Sequence, residues 1–229
     1  HVYPPMSDFL AAERITVLEG YQAAHVQRPI DLVVVGNAIS RGNAELEAVL
    51  DAGLRYASLP ETIRDQWLWD ADSIVIAGTH GKTTTTSMLT WVFEHNDRNP
   101  GFLIGGIPTN LGQGARFTDS EWFIIEGDEY DTAFFDKRSK FLHYLPEVAL
   151  LNNLEFDHAD IFPDVAAIQT QFHHLLRTVP GRGTVVWHAD DANLAAVIER
   201  GCWSAQLRFG QAQADWLLRA GADDDYTVQ

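Results

Sequence analysis

The chain has 229 residues, of which 46% are hydrophobic and 21% are charged, a composition that suits one large or two modest globular domains. Sixteen basic residues stand against 32 acidic ones, and the formal net charge of −16 argues against nucleic acid or an anionic membrane surface as a partner. No apolar run approaches the ~20 residues of a membrane-spanning helix. The single cysteine, Cys202, excludes an internal disulfide framework and fits a reducing cytosol.

Residues 1–72 carry the pattern of an α/β domain. The run DLVVV at 31–35 is nearly all apolar, as expected for a strand of a parallel sheet that is covered on both faces. The loop 36–43 follows this strand at its carboxyl end, where open α/β sheets bind ligands, although an ordinary strand-to-helix connection would look the same. A further strand is predicted at 15–18, and helices are predicted over 8–14, 44–52 and 61–69.

The stretch 73–88 predicts a phosphate-binding loop. A β-branched strand at 73–77 leads into a glycine-containing turn, and a helix then begins with Lys82 at its mouth. Backbone N–H groups of such a turn point at an anion, Lys82 adds a positive charge, and the Thr83 hydroxyl can bind Mg²⁺. Because Ile76 stands where the strict pattern has its first glycine, a chance glycine–lysine turn is the alternative. The predicted nucleotide-binding residues are Gly78, Thr79, His80, Gly81, Lys82, Thr83 and Thr84.

Polar residues follow two further predicted strands. The strand 121–126 ends in the acidic run EGDEYD at 126–131, whose four carboxylates repel one another unless a metal or a cationic group sits among them. A solvated acidic loop is the alternative. The strand 148–151 runs into a polar segment that contains Asn152, Asn153 and His158. From its chemistry alone, a lone histidine is an unusual ligand for Mg²⁺, which prefers oxygen.

Two weaker signals lie in the same region. Gly105 and Gly106 follow a predicted strand at 102–104 and by themselves indicate only a turn. The segment 134–140 carries a basic cluster that predicts either a surface for an acidic substrate or a solvated turn. Its members are Lys137, Arg138 and Lys140.

The string GTHGKTTT at 78–85 resembles the ATP-binding loop of the Mur ligases, cytoplasmic enzymes that join amino acids or peptides to UDP-N-acetylmuramic acid. The acidic run resembles the family's E-x-D-E-x-D, and residues 153–158 resemble its N-x-x-x-D-H. The resemblance covers essentially the whole chain. It is closest to the branch that adds the tripeptide L-alanyl-γ-D-glutamyl-meso-diaminopimelate during peptidoglycan recycling, because the L-alanine-adding branch lacks the string FFDKRSK and has DESD at 128–131.

This resemblance implies a ligase that uses ATP and Mg²⁺. The γ-phosphoryl group passes to the muramyl carboxylate, and the peptide amine then attacks the acyl phosphate. Lys82 would neutralise the phosphates, Thr83 and Glu126 would hold one Mg²⁺, and His158 would hold a second. Lys82, Glu126 and His158 are therefore the expected catalytic residues. The expected substrate-binding residues are Asn37, Ser40, Arg41, Asn43, Gly106, Asn152 and Asn153.

The expected fold is α/β, with a partial Rossmann-like UDP-binding domain at 1–72 followed by a P-loop-type, parallel-sheet ATP-binding domain at 73–229. The family's glycine-rich nucleotide turn is absent before residue 36. We therefore expect a fragment that is cut at both ends and inactive by itself. Three alternatives stay open: an L-alanine-adding ligase, a folylpolyglutamate-type ligase and a non-catalytic nucleotide-binding protein. No membrane insertion is expected.

Overall fold

A computed structural model describes residues 4, 6–27, 29–157, 162–211, 214–220 and 226–228. The chain divides into two compact units. The first consists of His1–Leu59 with Ala133–Asp136, and the second of Pro60–Thr132 with Lys137–Gln229. His158 lies outside the described residues. None of the described helices is long and apolar enough to cross a membrane.

The first unit contains a small parallel α/β layer. Helix α1 spans Met6–Ala12, strand β1 Val33–Val35, helix α2 Ala44–Asp51 and strand β2 Tyr56–Ser58. Strands β1 and β2 pair in parallel, and the buried residues of α2 are Leu46 and Val49. Helix α2 begins at Ala44 because the side chain of Asn43 accepts hydrogen bonds from the backbone N–H groups of Glu45 and Leu46.

The strand predicted at 15–18 is wrong. This segment pairs with no strand among the described residues, and Ile15, Val17 and Leu18 are about half exposed. An apolar, β-branched run is not enough for a strand, because its backbone groups also need a neighbour with which to pair.

The second unit begins in helix α3, Leu59–Gln66, and carries helices α4 (Lys82–His95), α5 (Val165–Leu176) and α6 (Ala192–Glu199). The remaining strands follow in chain order as β3 (Asp72–Ala77), β4 (Gly101–Leu103), β5 (Ala115–Arg116), β6 (Trp122–Gly127), β7 (Asp131–Ala133), β8 (Asp136–Ser139), β9 (Pro146–Leu151), β10 (Thr184–His188), β11 (Ala205–Gly210), β12 (Trp216–Ala220) and β13 (Tyr226–Val228). One residue each of β7 and β8, Ala133 and Asp136, belongs to the first unit.

Among the described residues, nine of these strands form one sheet in the order β13-β12-β11-β10-β9-β3-β6-β4-β5. The pairs β12–β13 and β4–β5 are antiparallel, and the remaining pairs are parallel. Strands β7 and β8 pair separately as a hairpin. The fold is therefore a mixed α/β sheet dominated by parallel pairing.

Successive side chains of the central strands point to opposite faces of this sheet, so the core is divided between the two faces. Val75 and Ala77 belong to one hydrophobic cluster, to which α5 and α6 contribute, whereas Ile74 and Ile76 belong to another, against which Leu89 of α4 packs. Both faces of β3 are thus covered, which explains why its sequence is a continuous apolar run. The polar loops that follow the strands therefore lie beyond the strand ends, outside the covered faces of the sheet.

Candidate functional site

Strands β3, β6 and β9 end together at one edge of the sheet. Ala77, the last residue of β3, stands opposite Gly127 of β6 and Leu151 of β9. Since the three strands are parallel, the loops that follow them leave the sheet side by side. The site is built from these three loops and from the start of α4.

The segment 78–81, here called the glycine loop, joins β3 to α4. Gly78 has φ +151°, and a Cβ there would lie 3.0 Å from Cβ of Asn152 and 3.3 Å from the backbone nitrogen of Asn153. Gly81 has φ +78° and precedes α4, whose first turn receives no hydrogen bond from the Gly81 position because glycine has no side chain. The first N–H groups of this helix are therefore available to an anion.

Two neighbouring asparagines hold the glycine loop. The side chain of Asn153 accepts from the backbone N–H of His80 at 2.8 Å and donates to its carbonyl oxygen at 3.1 Å. Nδ2 of Asn152 donates to Oγ1 of Thr85 at 3.0 Å. Both predicted substrate-binding asparagines, which follow β9, thus contact the glycine loop or the first turns of α4.

A threonine fastens the other end of the same loop. Thr79 is only 8% exposed. Its hydroxyl accepts a hydrogen bond from the backbone N–H of Glu155 at 2.9 Å and donates one to the Glu155 carbonyl oxygen at 3.2 Å. Thr84, by contrast, is exposed in the first turn of α4. Of these two predicted nucleotide-binding residues, one supports the loop and the other faces solvent.

Lys82 is held in a mostly buried ion pair. Its Nζ lies 3.0 Å and 3.3 Å from the two carboxylate oxygens of Glu129, and it also donates to the carbonyl oxygen of Gly78 at 2.7 Å. The two side chains are 10% and 2% exposed. Sequence reasoning missed this partner. Its signal was present in the acidic run, which needed a cation among its carboxylates, and that cation is a lysine of the same chain.

Glu126 bridges the start of α4 and the loop after β4. Its Oε1 accepts from the hydroxyl of Thr83 at 2.7 Å, and its Oε2 accepts from the backbone N–H of Gly105 at 2.7 Å. Gly106 is adjacent, because a Cβ on it would lie 3.6 Å from Cγ2 of Thr83. Three of the predicted site residues therefore come together here, Thr83, Gly106 and Glu126, and Lys82 precedes Thr83 in the chain.

The rest of the acidic run is paired with lysines of the basic cluster. Nζ of Lys140 lies 3.1 Å from Asp128, and Nζ of Lys137 lies 2.6 Å from Asp131. Burial raises the pKa of the Tyr144 phenol well above its ordinary value, and the charges of Asp128 and Glu126 raise it further. The phenol is consequently neutral, and both lysines are engaged with the chain's own carboxylates.

The donor set at Thr83 and Glu126 fits a Mg²⁺ ion. Hydroxyl and carboxylate oxygens are the ligands that Mg²⁺ prefers, and it commonly binds through one or two protein oxygens together with phosphate oxygens and water. Within the part of the chain that the structure describes, no group of three or more His, Cys, Asp and Glu side chains could hold a metal ion. The fit therefore depends on the nucleotide to supply the remaining ligands.

The predicted substrate residues of the first unit lie around the loop after β1. A pocket of about 380 Å³ is lined by this loop and α2, with Asn37 and Asn43 among the lining residues. The guanidinium of Arg41 lies 2.9 Å and 3.0 Å from the carboxylate oxygens of Glu47. That contact, with the N–H of Gly42 adding to it, lowers the pKa of Glu47 to about 2. The backbone carbonyl oxygen of Ser40 accepts a hydrogen bond from the backbone N–H of Asn43 at 3.2 Å.

The chain is similar to known proteins over most of its length. The family described as Mur ligase middle domain matches residues 76–226. UDP-N-acetylmuramate–L-alanyl-γ-D-glutamyl-meso-2,6-diaminoheptandioate ligase of Escherichia coli strain K12 is 51% identical over 219 residues, which are 96% of this chain and 48% of that protein. The UDP-N-acetylmuramate–L-alanine ligase of Salinispora arenicola is 34% identical over 184 residues, 80% of this chain and 34% of that protein.

A solved structure is similar over the whole chain. The UDP-N-acetylmuramate:L-alanyl-γ-D-glutamyl-meso-diaminopimelate ligase from Neisseria meningitides superposes with a TM-score of 0.94 at 48% identity and covers 100% of this chain and 74% of that one. The chain spans about half the length of two curated relatives that it matches, at 48% and 49%.

Proposed function

Since this chain belongs to the Mur ligase family, we propose that it contributes the nucleotide site of an ATP-dependent ligase. The proposed reaction joins L-alanyl-γ-D-glutamyl-meso-diaminopimelate to UDP-N-acetylmuramic acid, the reaction for which two of its relatives are named. One observation carries the proposal: Lys82 is hydrogen-bonded to the glycine loop, and the next residue, Thr83, is hydrogen-bonded to Glu126. A lysine, a hydroxyl and a carboxylate at a helix N-terminus suit a nucleoside triphosphate with Mg²⁺.

The chemistry follows from the weakness of a carboxylate as an electrophile. A muramyl carboxylate oxygen attacks the γ-phosphorus of ATP, ADP leaves, and an acyl phosphate results. The peptide amine then attacks the acyl carbon, and inorganic phosphate departs as the amide forms. Catalysis of this kind consists mainly of positioning and of neutralising charge on the phosphates.

Each residue at the mouth of the glycine loop has a proposed role. The Lys82 ammonium and the first N–H groups of α4 bind the phosphates, and Gly78 lets the backbone approach them. Thr83 and Glu126 hold Mg²⁺, which when bound neutralises the charge of the phosphate oxygens. Asn152 and Asn153 act through the loop that they hold. His158 is proposed as ligand of a second Mg²⁺.

The first unit is proposed to bind the UDP-sugar. Asn37 and Asn43 line its pocket, and Arg41 and Ser40 belong to the same loop. Gly106, beside Thr83, is proposed to approach the muramyl part of the substrate. We also propose a functional boundary between a UDP-binding and an ATP-binding domain at residues 72 and 73, thirteen residues after the division between the compact units at Leu59 and Pro60. A cytoplasmic location and a role in peptidoglycan recycling are further parts of the proposal. The Rossmann-like and P-loop-type character of the two domains belongs to this proposal.

The test is ATP consumption by the full-length protein with UDP-N-acetylmuramic acid and different acceptors. We expect ADP release to require the sugar nucleotide and an amine, and the tripeptide to be preferred over L-alanine. Preference for L-alanine would favour the L-alanine-adding alternative, to which the chain is less similar. Nucleotide binding without turnover on any acceptor would favour a non-catalytic binding protein.

A further inference from the structure

The ion pair between Lys82 and Glu129 is unusual in its burial. The side chain of Glu129 is 2% exposed and that of Lys82 is 10% exposed, whereas Lys137 in the nearby exposed pair is 68% exposed. Burial of a charge is costly unless it is paired, so this carboxylate strongly favours a cation beside it. The lysine that supplies the cation is the one at the mouth of the glycine loop.

The surroundings fix both partners. Nζ of Lys82 has three N–H donors, and they face the Glu129 carboxylate, the Gly78 carbonyl oxygen at 2.7 Å and, at 3.4 Å, the Thr79 carbonyl oxygen. The carbonyl oxygen of Glu129 accepts a 2.7 Å hydrogen bond from the hydroxyl of Ser139 in β8. Glu129 is therefore tied to the β7–β8 hairpin.

We propose that Glu129 is a positioning residue that holds Lys82 at the loop and competes with nucleotide phosphate for its ammonium. This inference rests on the nucleotide site proposed above. Glu129 acts through Lys82 and needs no contact with the nucleotide. When phosphates arrive, the lysine directs a donor to them while Glu129 retains another, because separating this buried carboxylate from the ammonium would be unfavourable.

Two consequences follow from one carboxylate. Its negative charge compensates that of Lys82 and lies near the phosphates, so it weakens nucleotide binding. It also restricts where the ammonium sits, so it aids transfer of the γ-phosphoryl group, which depends on exact placement. Removing the charge while keeping the shape should therefore move affinity and turnover in opposite directions. A residue with a purely structural role would weaken both.

The variant Glu129→Gln in the full-length protein tests this. We expect its affinity for MgADP, measured by calorimetry, to rise about tenfold, because one buried negative charge no longer faces the phosphates. We expect kcat for ADP formation to fall about tenfold or more, because the neutral amide holds the ammonium less firmly. The matched control is Glu94→Gln on the same helix as Lys82, where the glutamate pairs with Arg116 and both measurements should stay unchanged.

Glu129→Asp provides a second variant in which the buried lysine keeps a charged partner, and it should fold even if Glu129→Gln does not. Because its carboxylate is drawn back by one methylene, affinity and kcat should lie between those of the unmodified protein and Glu129→Gln. Weaker MgADP binding in either variant, or unchanged kcat in both, would overturn the inference. Failure of the unmodified protein to ligate would count against the proposed reaction only, since the MgADP measurement does not depend on it.

Discussion

The hydroxyl of Thr83 donates a 2.7 Å hydrogen bond to Oε1 of Glu126, which joins the first turn of α4 to the end of β6. The other carboxylate oxygen is held by the N–H of Gly105. A hydroxyl and a carboxylate that suit Mg²⁺ thus lie on a helix and a strand from separate parts of the sequence. The N–H of Gly105 orients the carboxylate.

Glu126→Gln should raise the Mg²⁺ concentration needed for half-maximal ADP formation. The amide keeps one acceptor but loses the charge, and since even the groups that orient metal ligands are worth about 10-fold to 100-fold in metal affinity, we expect a shift at least that large for a ligand. The measurement is turnover as a function of free Mg²⁺ at saturating ATP. Glu121→Gln, just before the start of the same strand, is the control and should leave the curve unmoved; an identical shift in both variants would argue against Glu126 as a ligand.

Lys82→Ala should abolish turnover and also cost stability, because it leaves the Glu129 carboxylate without its lysine. Removing one member of a buried pair typically costs about 3–5 kcal/mol, so we expect the free energy of unfolding in urea to fall by about 3 kcal/mol. In Lys137→Ala the lost pair is exposed, and the cost should stay below about 1 kcal/mol. Equal losses in the two variants would contradict the burial of the Lys82–Glu129 pair.

Much of the site was predictable because its signals are local. A buried strand followed by glycines, a lysine and a helix places Lys82 and Thr83 at a helix mouth without any knowledge of tertiary structure. The parallel order of β3, β6 and β9 then brings Glu126 beside Thr83. The parallel direction of these strands can be inferred, because their continuous apolar runs indicate a sheet that is covered on both faces.

What could not be predicted depends on pairing across the fold. The partner of Lys82 is a carboxylate 47 positions away, and any of four acids in the run could have served. Strands β5 and β7 are two and three residues long and have no periodicity from which to be recognised. At 15–18 the opposite holds: the sequence predicted a strand, but this run pairs with no other strand among the described residues.

The Arg41–Glu47 contact makes a prediction about pH. The pKa of Glu47 is lowered to about 2 from an ordinary value of 4.5, chiefly by the hydrogen bonds from Arg41. Since the folded-state pKa is lowered, the stabilisation is present above pH 4.5 and is lost as pH falls through about 2. A carboxyl NMR titration should give a midpoint near 2 for Glu47, and Arg41→Gln should move it towards 4.5. An ordinary midpoint in the unmodified protein would mean that the contact does not persist in solution.

Gly78→Ala should both destabilise the protein and distort the glycine loop. The residue has φ +151°, and the new Cβ would lie 3.0 Å from that of Asn152, which itself holds the start of α4 through Thr85. Strain of this kind combined with overpacking costs about 3 kcal/mol, and we expect a matching fall in unfolding free energy together with weaker MgADP binding.

Gly112→Ala separates the two causes in that variant. Gly112 also has a positive φ, +68°, but a Cβ there meets nothing within 4 Å. Only the backbone cost of about 1–2 kcal/mol should appear, and MgADP affinity should be unchanged. If both glycine variants lost the same stability and both kept full affinity, the close approach of Asn152 to Gly78 would not matter for nucleotide binding.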